Sequence, residues 1–300
     1  MTNDTNIAKE YEASLKSIET ENCLDRWFYR PVGFRIARAL RGSGITPNAI
    51  TIISIFVGAA AGPLFYYDNI YFALVGILAL ILANILDCVD GQLARLTGIK
   101  SEIGRILDGF AGDVWFLCIY ISLALRMNRE YDTSLFFIPA ALSAISHLVQ
   151  ANITDYYKTV HLFFISPAKG SELQSAAEVR LQYSAMKPGV SKMFFFFYKG
   201  YTALQESKTP RLQSLLAEIR SEHGGIPTED CSRQFRHSSK RLMTLWIDYL
   251  TFNGRFIAIV ISVLSGVVWL YFLIEIAVLN FVLYKSIHLH EKLCNSLLKK

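Results

Sequence analysis

Four aspartates with the chemistry of a divalent-cation site lie in the stretch 84–113, NILDCVDGQLARLTGIKSEIGRILDGFAGD: Asp87, Asp90, Asp108 and Asp113. The first of these aspartates, Asp87, directly follows an uncharged apolar run at 70–86. A charged side chain is costly in hydrocarbon and seldom lies there without a function. An all-carboxylate ligand set suits Mg²⁺ or Mn²⁺, which prefer oxygen and usually bridge substrate phosphates.

Small residues accompany the aspartates at helical spacing. Asp87 and Asp90 stand with Gly91 and Ala94 at i, i+3, i+4 and i+7, so all four share one helix face. Such a face can hold cations and admit a bulky ligand closely, and a pair of ions there could bind a pyrophosphate. The structural alternative is a cluster of aspartates neutralised by nearby arginines such as Arg95.

The elements that must position these residues are membrane helices. Of the 300 residues, 52% are hydrophobic, and they fall into blocks long enough to span a bilayer, which needs about 20 apolar residues. We predict an all-α polytopic membrane protein with six transmembrane helices, at 48–67, 70–86, 110–125 (beginning near Gly104), 134–153, and two within 242–287 that break at Ser265 and Gly266.

The remaining segments are polar or amphipathic. We expect an N-terminal segment, 1–44, without a signal peptide and with an amphipathic helix at the membrane interface; a soluble helix packing on the insertion is the alternative. Transmembrane helices one to four fall within 45–155, and helices five and six within 241–287. A cytosolic helical insertion with interfacial helices occupies 156–240, and 288–300 forms a cytosolic tail.

Charge predicts both the location and the partners. The net charge is +5, and we attribute it to Lys and Arg beside anionic lipid rather than to nucleic-acid binding. Basic residues concentrate before the first span, after the second and fourth, and in the tail, which places both termini and the aspartates in the cytosol. The five scattered cysteines indicate neither disulfides nor a zinc site.

The aspartate stretch resembles the signature of the CDP-alcohol phosphatidyltransferase family, D-x2-D-G-x2-A-R-x8-G-x3-D-x3-D, at seven of its eight fixed positions. The resemblance implies transfer of a phosphatidyl-type group from a CDP-linked lipid, usually CDP-diacylglycerol, to a small alcohol with release of CMP. It implies two Mg²⁺ or Mn²⁺ ions on Asp87, Asp90 and Asp108, and a CDP site at Gly91, Ala94, Arg95 and Gly104.

One position departs from the family pattern: Gly112 stands where the last aspartate belongs, and Asp113 follows it. On a regular helix, i+4 from Asp108 lies about 40° away and i+5 about 140° away. We therefore expect a π-bulge between Asp108 and Asp113, which would return Asp113 to the site as fourth ligand and catalytic base. The alternative is that Asp113 caps or pairs elsewhere.

Acceptor binding is expected near the cytosolic end of the fourth span and in the fifth, at Gln150, Asp155, Lys158 and Arg255. Amide, carboxylate and basic groups suit inositol or inositol phosphate better than a quaternary amine, which would favour aromatics. The expected partners are the CDP-linked lipid, the small alcohol and membrane lipid, with a homodimer as one possible assembly. Two rival functions are an aspartate-rich membrane prenyltransferase and a non-catalytic membrane protein that binds divalent ions.

Overall fold

The computed structural model describes residues 2–99, 101–168, 173–222 and 224–298, and within them the chain is helical and without strands. The all-α prediction is confirmed. The helices are α1 Thr2–Ser14, α2 Arg30–Leu40, α3 Pro47–Tyr66, α4 Ile70–Thr97, α5 Glu102–Tyr131, α6 Phe137–Ile165, α7 Ala176–Ala185, α8 Val190–Lys208, α9 Pro210–Glu222, α10 Glu229–Leu245, α11 Phe252–Leu264, α12 Trp269–Leu273 and α13 Asn280–Leu297. Short π-helical segments cover Asp25–Tyr29 and Ile274–Leu279, and a 3₁₀ turn covers Ile247–Leu250.

Four helical segments of the described residues are long and apolar enough to cross a membrane: Pro47–Tyr66, Ile70–Thr97, Leu107–Tyr131 and Trp269–Leu297. They correspond to the first, second, third and sixth predicted spans. The fifth falls on the shorter apolar helix Phe252–Leu264, and the fourth falls on α6. The polytopic architecture is therefore confirmed, whereas the count of six spans stays a prediction.

Helix ends follow local sequence signals. Thr46 caps α3 by accepting a hydrogen bond from the Ala49 amide, and Pro47 follows at the first helical position, where its missing N–H is harmless. Helix α4 ends at Gly98, whose φ of +72° is a left-handed conformation that glycine adopts without strain. The predicted break at Ser265 and Gly266 is also present, because α11 ends at Leu264 and the next helix begins at Trp269.

The chain divides into two compact units, and the first comprises residues 1–148 and 252–278. Its core contains buried side chains of α3, α4, α5 and α11, with Trp115 and Phe116 at the centre. Helix α3 approaches α5 closely because two of its residues lack side chains. A Cβ on Gly58 would lie 2.4 Å from the Trp115 ring, and one on Gly62 would lie 2.6 Å from the Cys118 carbonyl oxygen.

The N-terminal segment belongs to this first unit. Helix α2 buries Gly33, Phe34 and Ala37 and packs against α4. A Cβ on Gly33 would lie 2.6 Å from Gln92 Oε1, so a glycine is needed for this approach. The amphipathic helix is thus present and covers the helix that carries the first two aspartates.

The second unit comprises residues 149–251 and 279–300. Helix α7 packs on α8, and α9 and α10 pack on α13. The rings of Phe164 and Phe235 stack with centroids 3.9 Å apart, and those of Tyr157 and His290 stack at the same distance. The segment predicted as a helical insertion is therefore helical in its described parts and has a hydrophobic core of its own.

Candidate metal centre

Three of the four aspartates meet in the first unit. Asp87 and Asp90 project from α4 and Asp108 from α5, and each offers a carboxylate oxygen within 4.8 Å of the other two. In the described part of the chain this is the one such group of three or more His, Cys, Asp or Glu side chains. Asp90 is buried, Asp87 is half-buried and Asp108 is exposed. The group therefore opens toward solvent on the α5 side.

Helix α3 supports the group from a third direction. The Thr51 hydroxyl donates a hydrogen bond of 2.6 Å to Asp90 Oδ2. Near the start of the same helix, Asn48 Nδ2 donates to the Ser101 hydroxyl at 3.1 Å, and Ser101 in turn caps α5 by accepting from the Gly104 amide at 2.9 Å. These contacts fix the beginning of α5 beside α3 and so place Asp108 near the aspartates of α4. Thr51 and Asn48 were not among the residues predicted from the sequence.

The two glycines expected to admit the nucleotide have different surroundings. A Cβ on Gly91 would meet only the flexible end of Arg95, 3.1 Å away. A Cβ on Gly104 would lie 2.2 Å from Asn48 Oδ1. Gly91 therefore faces a side chain that can move, beside Asp87 and Asp90, whereas Gly104 allows two helices to approach each other. Ala94 is half-buried one turn beyond Gly91.

Arg95, expected at the CDP site, is engaged by the N-terminal segment. Its Nε donates to the Ser14 carbonyl oxygen at the end of α1. The neighbouring Gln92 side chain donates to the Ser14 hydroxyl and to the Arg30 carbonyl, both at 3.2 Å. The last turns of α4 are thus tied to residues far upstream, and a nucleotide contact by Arg95 stays a prediction.

The expected π-bulge between Asp108 and Asp113 is wrong, because α5 is a regular α-helix from Glu102 to Tyr131. A regular helix keeps its i→i−4 hydrogen bonds through this region. No packing contact forces the helix to insert the extra residue of a π-bulge, because a Cβ on Gly109 or Gly112 would meet nothing within 4 Å. Asp113 accordingly lies outside the three-aspartate group. The structural argument for Asp113 as fourth ligand and base is lost, while the chemical roles themselves have not been tested.

Asp113 is instead paired with His147 of α6. His147 Nε2 lies 3.3 Å from Asp113 Oδ1, and His147 Nδ1 lies 3.0 Å from the Tyr120 hydroxyl. In this arrangement Nε2 would donate to the Asp113 carboxylate and Nδ1 would accept from the Tyr120 hydroxyl. Periodicity cannot reveal a partner on another helix, and the sequence offered no signal for this chain of contacts.

The residues expected to bind the acceptor do not form one group within a unit. Gln150, fully buried, donates to Asn280 Oδ1 at 3.0 Å. Arg255, 2% exposed, lies with its Nε 3.4 Å from Glu275 Oε1. Asp155 is exposed and Lys158 is half-buried, one turn apart on α6. Gln150 and Arg255 therefore have internal partners, and Asp155 and Lys158 are the more accessible pair.

The three-aspartate group fits a hard divalent cation. Its donors are all carboxylate oxygens, and they are close enough to converge on a shared ion. When no cation is present, three ionised carboxylates at this distance repel one another. The Thr51 hydroxyl and the Gly91 backbone donate hydrogen bonds to Asp90, and Arg30 and Arg95 lie near the group and offset part of its charge. Bound Mg²⁺ or Mn²⁺ would balance this charge.

The part of the chain that contains the three-aspartate group is similar to known proteins. Residues 44–181 match the family model described as CDP-alcohol phosphatidyltransferase. An archaetidylinositol phosphate synthase of Pyrococcus horikoshii is 43% identical over 100 residues, which cover 33% of this chain and 52% of that protein. A CDP-diacylglycerol–glycerol-3-phosphate 3-phosphatidyltransferase of Rickettsia typhi is 33% identical over 84 residues, 28% of this chain and 47% of that protein.

The Rickettsia prowazekii protein of the same name is also 33% identical over 84 residues, 28% of this chain and 46% of that protein. The chain thus spans about half the length of the curated relatives it matches. The matched region contains the three-aspartate group and the helices α3, α4 and α5 that build it. The resemblance to the CDP-alcohol phosphatidyltransferase family is therefore confirmed over residues 44–181.

Proposed function

We propose that this protein transfers a phosphatidyl-type group from a CDP-linked lipid, such as CDP-diacylglycerol, to a small alcohol and releases CMP. The observation that carries the proposal is the group Asp87, Asp90 and Asp108, whose carboxylate oxygens lie within 4.8 Å of one another inside the region that matches the family. In the reaction the alcohol oxygen bonds to the lipid-side phosphorus, and the bond from that phosphorus to the bridging oxygen of CMP breaks.

The metal requirement is part of the proposal. Asp87, Asp90 and Asp108 would hold Mg²⁺ or Mn²⁺, as one ion or as the two expected from the resemblance. Bound there, the metal would neutralise the pyrophosphate and the charge that develops on the leaving oxygen. Mg²⁺ commonly keeps several water ligands, so three protein carboxylates are an adequate set.

The protein's own groups would position the substrates. The lack of a side chain at Gly91 would leave room for the CDP moiety beside the α4 aspartates once the flexible end of Arg95 moves aside. The hydrogen bond from Thr51 holds Asp90 in one orientation. Transfer of this kind depends on positioning and charge neutralisation more than on covalent help. Gly112 stands where the family has its last aspartate. We therefore expect this difference to cost less transfer activity than the loss of Asp87, Asp90 or Asp108 would.

We propose a polyol phosphate as the acceptor. Two of the relatives are named for inositol phosphate or glycerol-3-phosphate chemistry. Loop charge supports a cytosolic location for the site and both termini.

One alternative function has an observation in its favour. A non-catalytic protein that binds divalent ions would have no need of the family's last aspartate, and here Gly112 replaces it while Asp113 is paired with His147. The family match argues against the prenyltransferase alternative.

The deciding experiment measures CMP release by the purified full-length protein from labelled CDP-diacylglycerol with Mg²⁺ or Mn²⁺. The acceptor panel contains inositol phosphate, glycerol-3-phosphate, inositol and choline. We expect release that needs both a metal and a polyol phosphate. An Asp108→Asn variant serves as the matched inactive control. Metal binding without CMP release from any acceptor would favour the non-catalytic alternative.

A further inference from the structure

The α7–α8 hairpin of the second unit exposes a continuous apolar face. Met193, Phe196 and Phe197 stand at i, i+3 and i+4 on α8, and each is 54% exposed. Leu181 on α7 is 72% exposed, whereas Phe195, on the opposite side of α8, is 5% exposed and buried in the unit. Helix α8 therefore packs through one side and presents large apolar side chains on the other. Contiguous exposed apolar residues of this size mark an interaction site.

Basic side chains border the hairpin face, which we define by Met193, Phe196 and Phe197 of α8. From 179 to 205 the sequence contains Arg180, Lys187, Lys192 and Lys199 and no acidic residue. The ammonium groups of Lys192 and Lys199 lie 5.0 and 4.6 Å from the centroid of the Tyr183 ring. The stems of both lysines thus follow the aromatic surface, and their charges remain at its edge.

We propose that the hairpin face lies in the headgroup region of a membrane that contains anionic lipid. Among the described residues, four helical segments are able to cross a membrane, so the rest of the protein is already held at a lipid surface. Apolar side chains enter the boundary between headgroups and acyl chains, and lysines beside them contact anionic headgroups.

The composition of the face favours lipid over a protein partner. Its three defining side chains carry no hydrogen-bonding group that could recognise a specific surface. Protein interfaces combine apolar anchors with a rim of paired donors and acceptors. The charged residues from 179 to 205 are all basic, which matches a negatively charged bilayer surface without any requirement for fixed geometry.

The test places an environment-sensitive fluorophore on the face of the full-length protein. Cys23, Cys118 and Cys231 are first changed to serine, leaving the buried Cys88 and Cys294. Phe197→Cys or Met193→Cys is then labelled, and single copies are placed in lipid nanodiscs with phosphatidylcholine and phosphatidylglycerol. The matched control is Arg233→Cys on α10, where the native side chain is 76% exposed.

We expect brominated lipid to quench most emission at 193 and 197 and little at 233, with aqueous iodide showing the reverse order. Replacing phosphatidylglycerol by phosphatidylcholine, or introducing Lys187→Glu together with Lys192→Glu, should weaken the lipid quenching. Equal iodide quenching at 193, 197 and 233 would show that the face lies in water and overturn the proposal. Protection from both quenchers would indicate that protein covers the face, which also overturns it.

Discussion

Asp90 is the most enclosed of the three carboxylates, and its surroundings suggest a division of roles among them. It is buried and accepts the Thr51 hydrogen bond, whereas Asp108 is exposed and Asp87 lies between these extremes. A carboxylate fixed by a neighbour suits a permanent metal ligand, because its orientation is set before the ion binds. An exposed carboxylate can adjust when substrate arrives. We infer that Asp90 anchors the ion and that Asp108 faces the substrate.

Removing any one carboxylate charge should abolish CMP release. Asp87→Asn, Asp90→Asn and Asp108→Asn each replace an anionic ligand with a neutral amide of nearly the same shape. The metal-free protein should fold and gain thermal stability, since fewer like charges then converge. CMP release and thermal unfolding of the three variants, measured in the same membrane preparation, check both expectations. Normal turnover in any two of them would remove the metal assignment.

The Thr51 hydroxyl should tune metal affinity without being essential for folding. Thr51→Val keeps the shape of the side chain and removes the hydrogen bond to Asp90. We expect the apparent affinity for Mg²⁺ to fall by about 10–100-fold, the range for losing a group that orients a metal ligand. Thr51→Ser retains the hydroxyl and is the control. Identical Mg²⁺ dependence of CMP release in the valine and serine variants would contradict this role.

Asp113 should tolerate conversion to asparagine. The amide oxygen of Asp113→Asn can still accept the hydrogen bond from His147 Nε2, and the carboxylate lies outside the metal group. The rate of CMP release should therefore fall far less in this variant than the about 10²–10⁴-fold that removal of a general base costs. A loss of CMP release in that range would return Asp113 to the role of base, despite the regular helix.

Gly112→Asp complements that experiment. A Cβ at this position would meet nothing within 4 Å, so the helix accepts the substitution without strain. Position 112 lies about 40° from Asp108 around the helix, compared with about 140° for Asp113. The added carboxylate should therefore raise Mg²⁺ affinity, whereas Asp113→Asn should leave it unchanged. A weaker Mg²⁺ affinity in the Gly112→Asp variant would show that the space beside Gly112 does not serve to hold a metal-coordinating side chain.

At the scale of the helices, the site depends on how closely α3, α4 and α5 approach one another. The two motif glycines lie on different surfaces of this group. Gly91 faces the flexible guanidinium of Arg95, and Gly104 faces Asn48 of α3. Because the same motif contains both, sequence alone gave them one role, in nucleotide binding. The structure separates a residue that leaves room for a ligand from a residue that leaves room for a helix.

Leucine substitutions distinguish these two roles. Gly91→Leu should fold normally and lose CDP binding, because the flexible end of Arg95 can move aside and the added bulk then fills space that the CDP moiety needs. Gly104→Leu should lower thermal stability by about 1–3 kcal/mol, the usual cost of overpacking, since its side chain must displace Asn48. Binding of CDP and thermal unfolding should be measured for both. Equal loss of stability in the two variants would contradict the distinction.

The accuracy of prediction at this scale depended on whether a feature was local. One helix period places Asp87 and Asp90 on one face, and Thr46, Pro47 and Gly266 mark helix ends by local backbone preferences. Contacts between helices depend on the rotation of each helix about its axis, which an all-apolar segment does not specify. The pairs Thr51–Asp90 and His147–Asp113 were missed for that reason. The predicted π-bulge was wrong because nothing packs closely on Gly109 or Gly112, so no contact opposes a regular helix there.

At the scale of the whole molecule, the proposed metal chemistry and the proposed lipid contact belong to different units. The three-aspartate group lies within residues 1–148 and 252–278, and the α7–α8 hairpin lies within 149–251 and 279–300. Each unit has its own buried core, so a ligand that binds one should stabilise that one in particular. This separation makes the two proposals testable independently in a single preparation of the full-length protein.

Addition of Mg²⁺ should therefore slow amide hydrogen exchange selectively. An ion shared by α4 and α5 opposes any opening that separates their adjoining ends, and at 100 times its dissociation constant it stabilises the bound state by about 2.7 kcal/mol. Amides within 87–113 that exchange only through that opening should slow by about 100-fold, while those of α9 and α10 should not change.

Asp87→Asn and Asp108→Asn provide the controls, because they should remove the Mg²⁺ effect without altering exchange in the second unit. Hydrogen exchange read by mass spectrometry, with and without chelator, measures all of these segments together. Protection that spread equally into α9 and α10 would mean that the two units respond as one cooperative body. If Mg²⁺ still slowed exchange in both variants, the ion would bind elsewhere in the protein. The chemistry proposed for the aspartates would then have to be assigned to that other site.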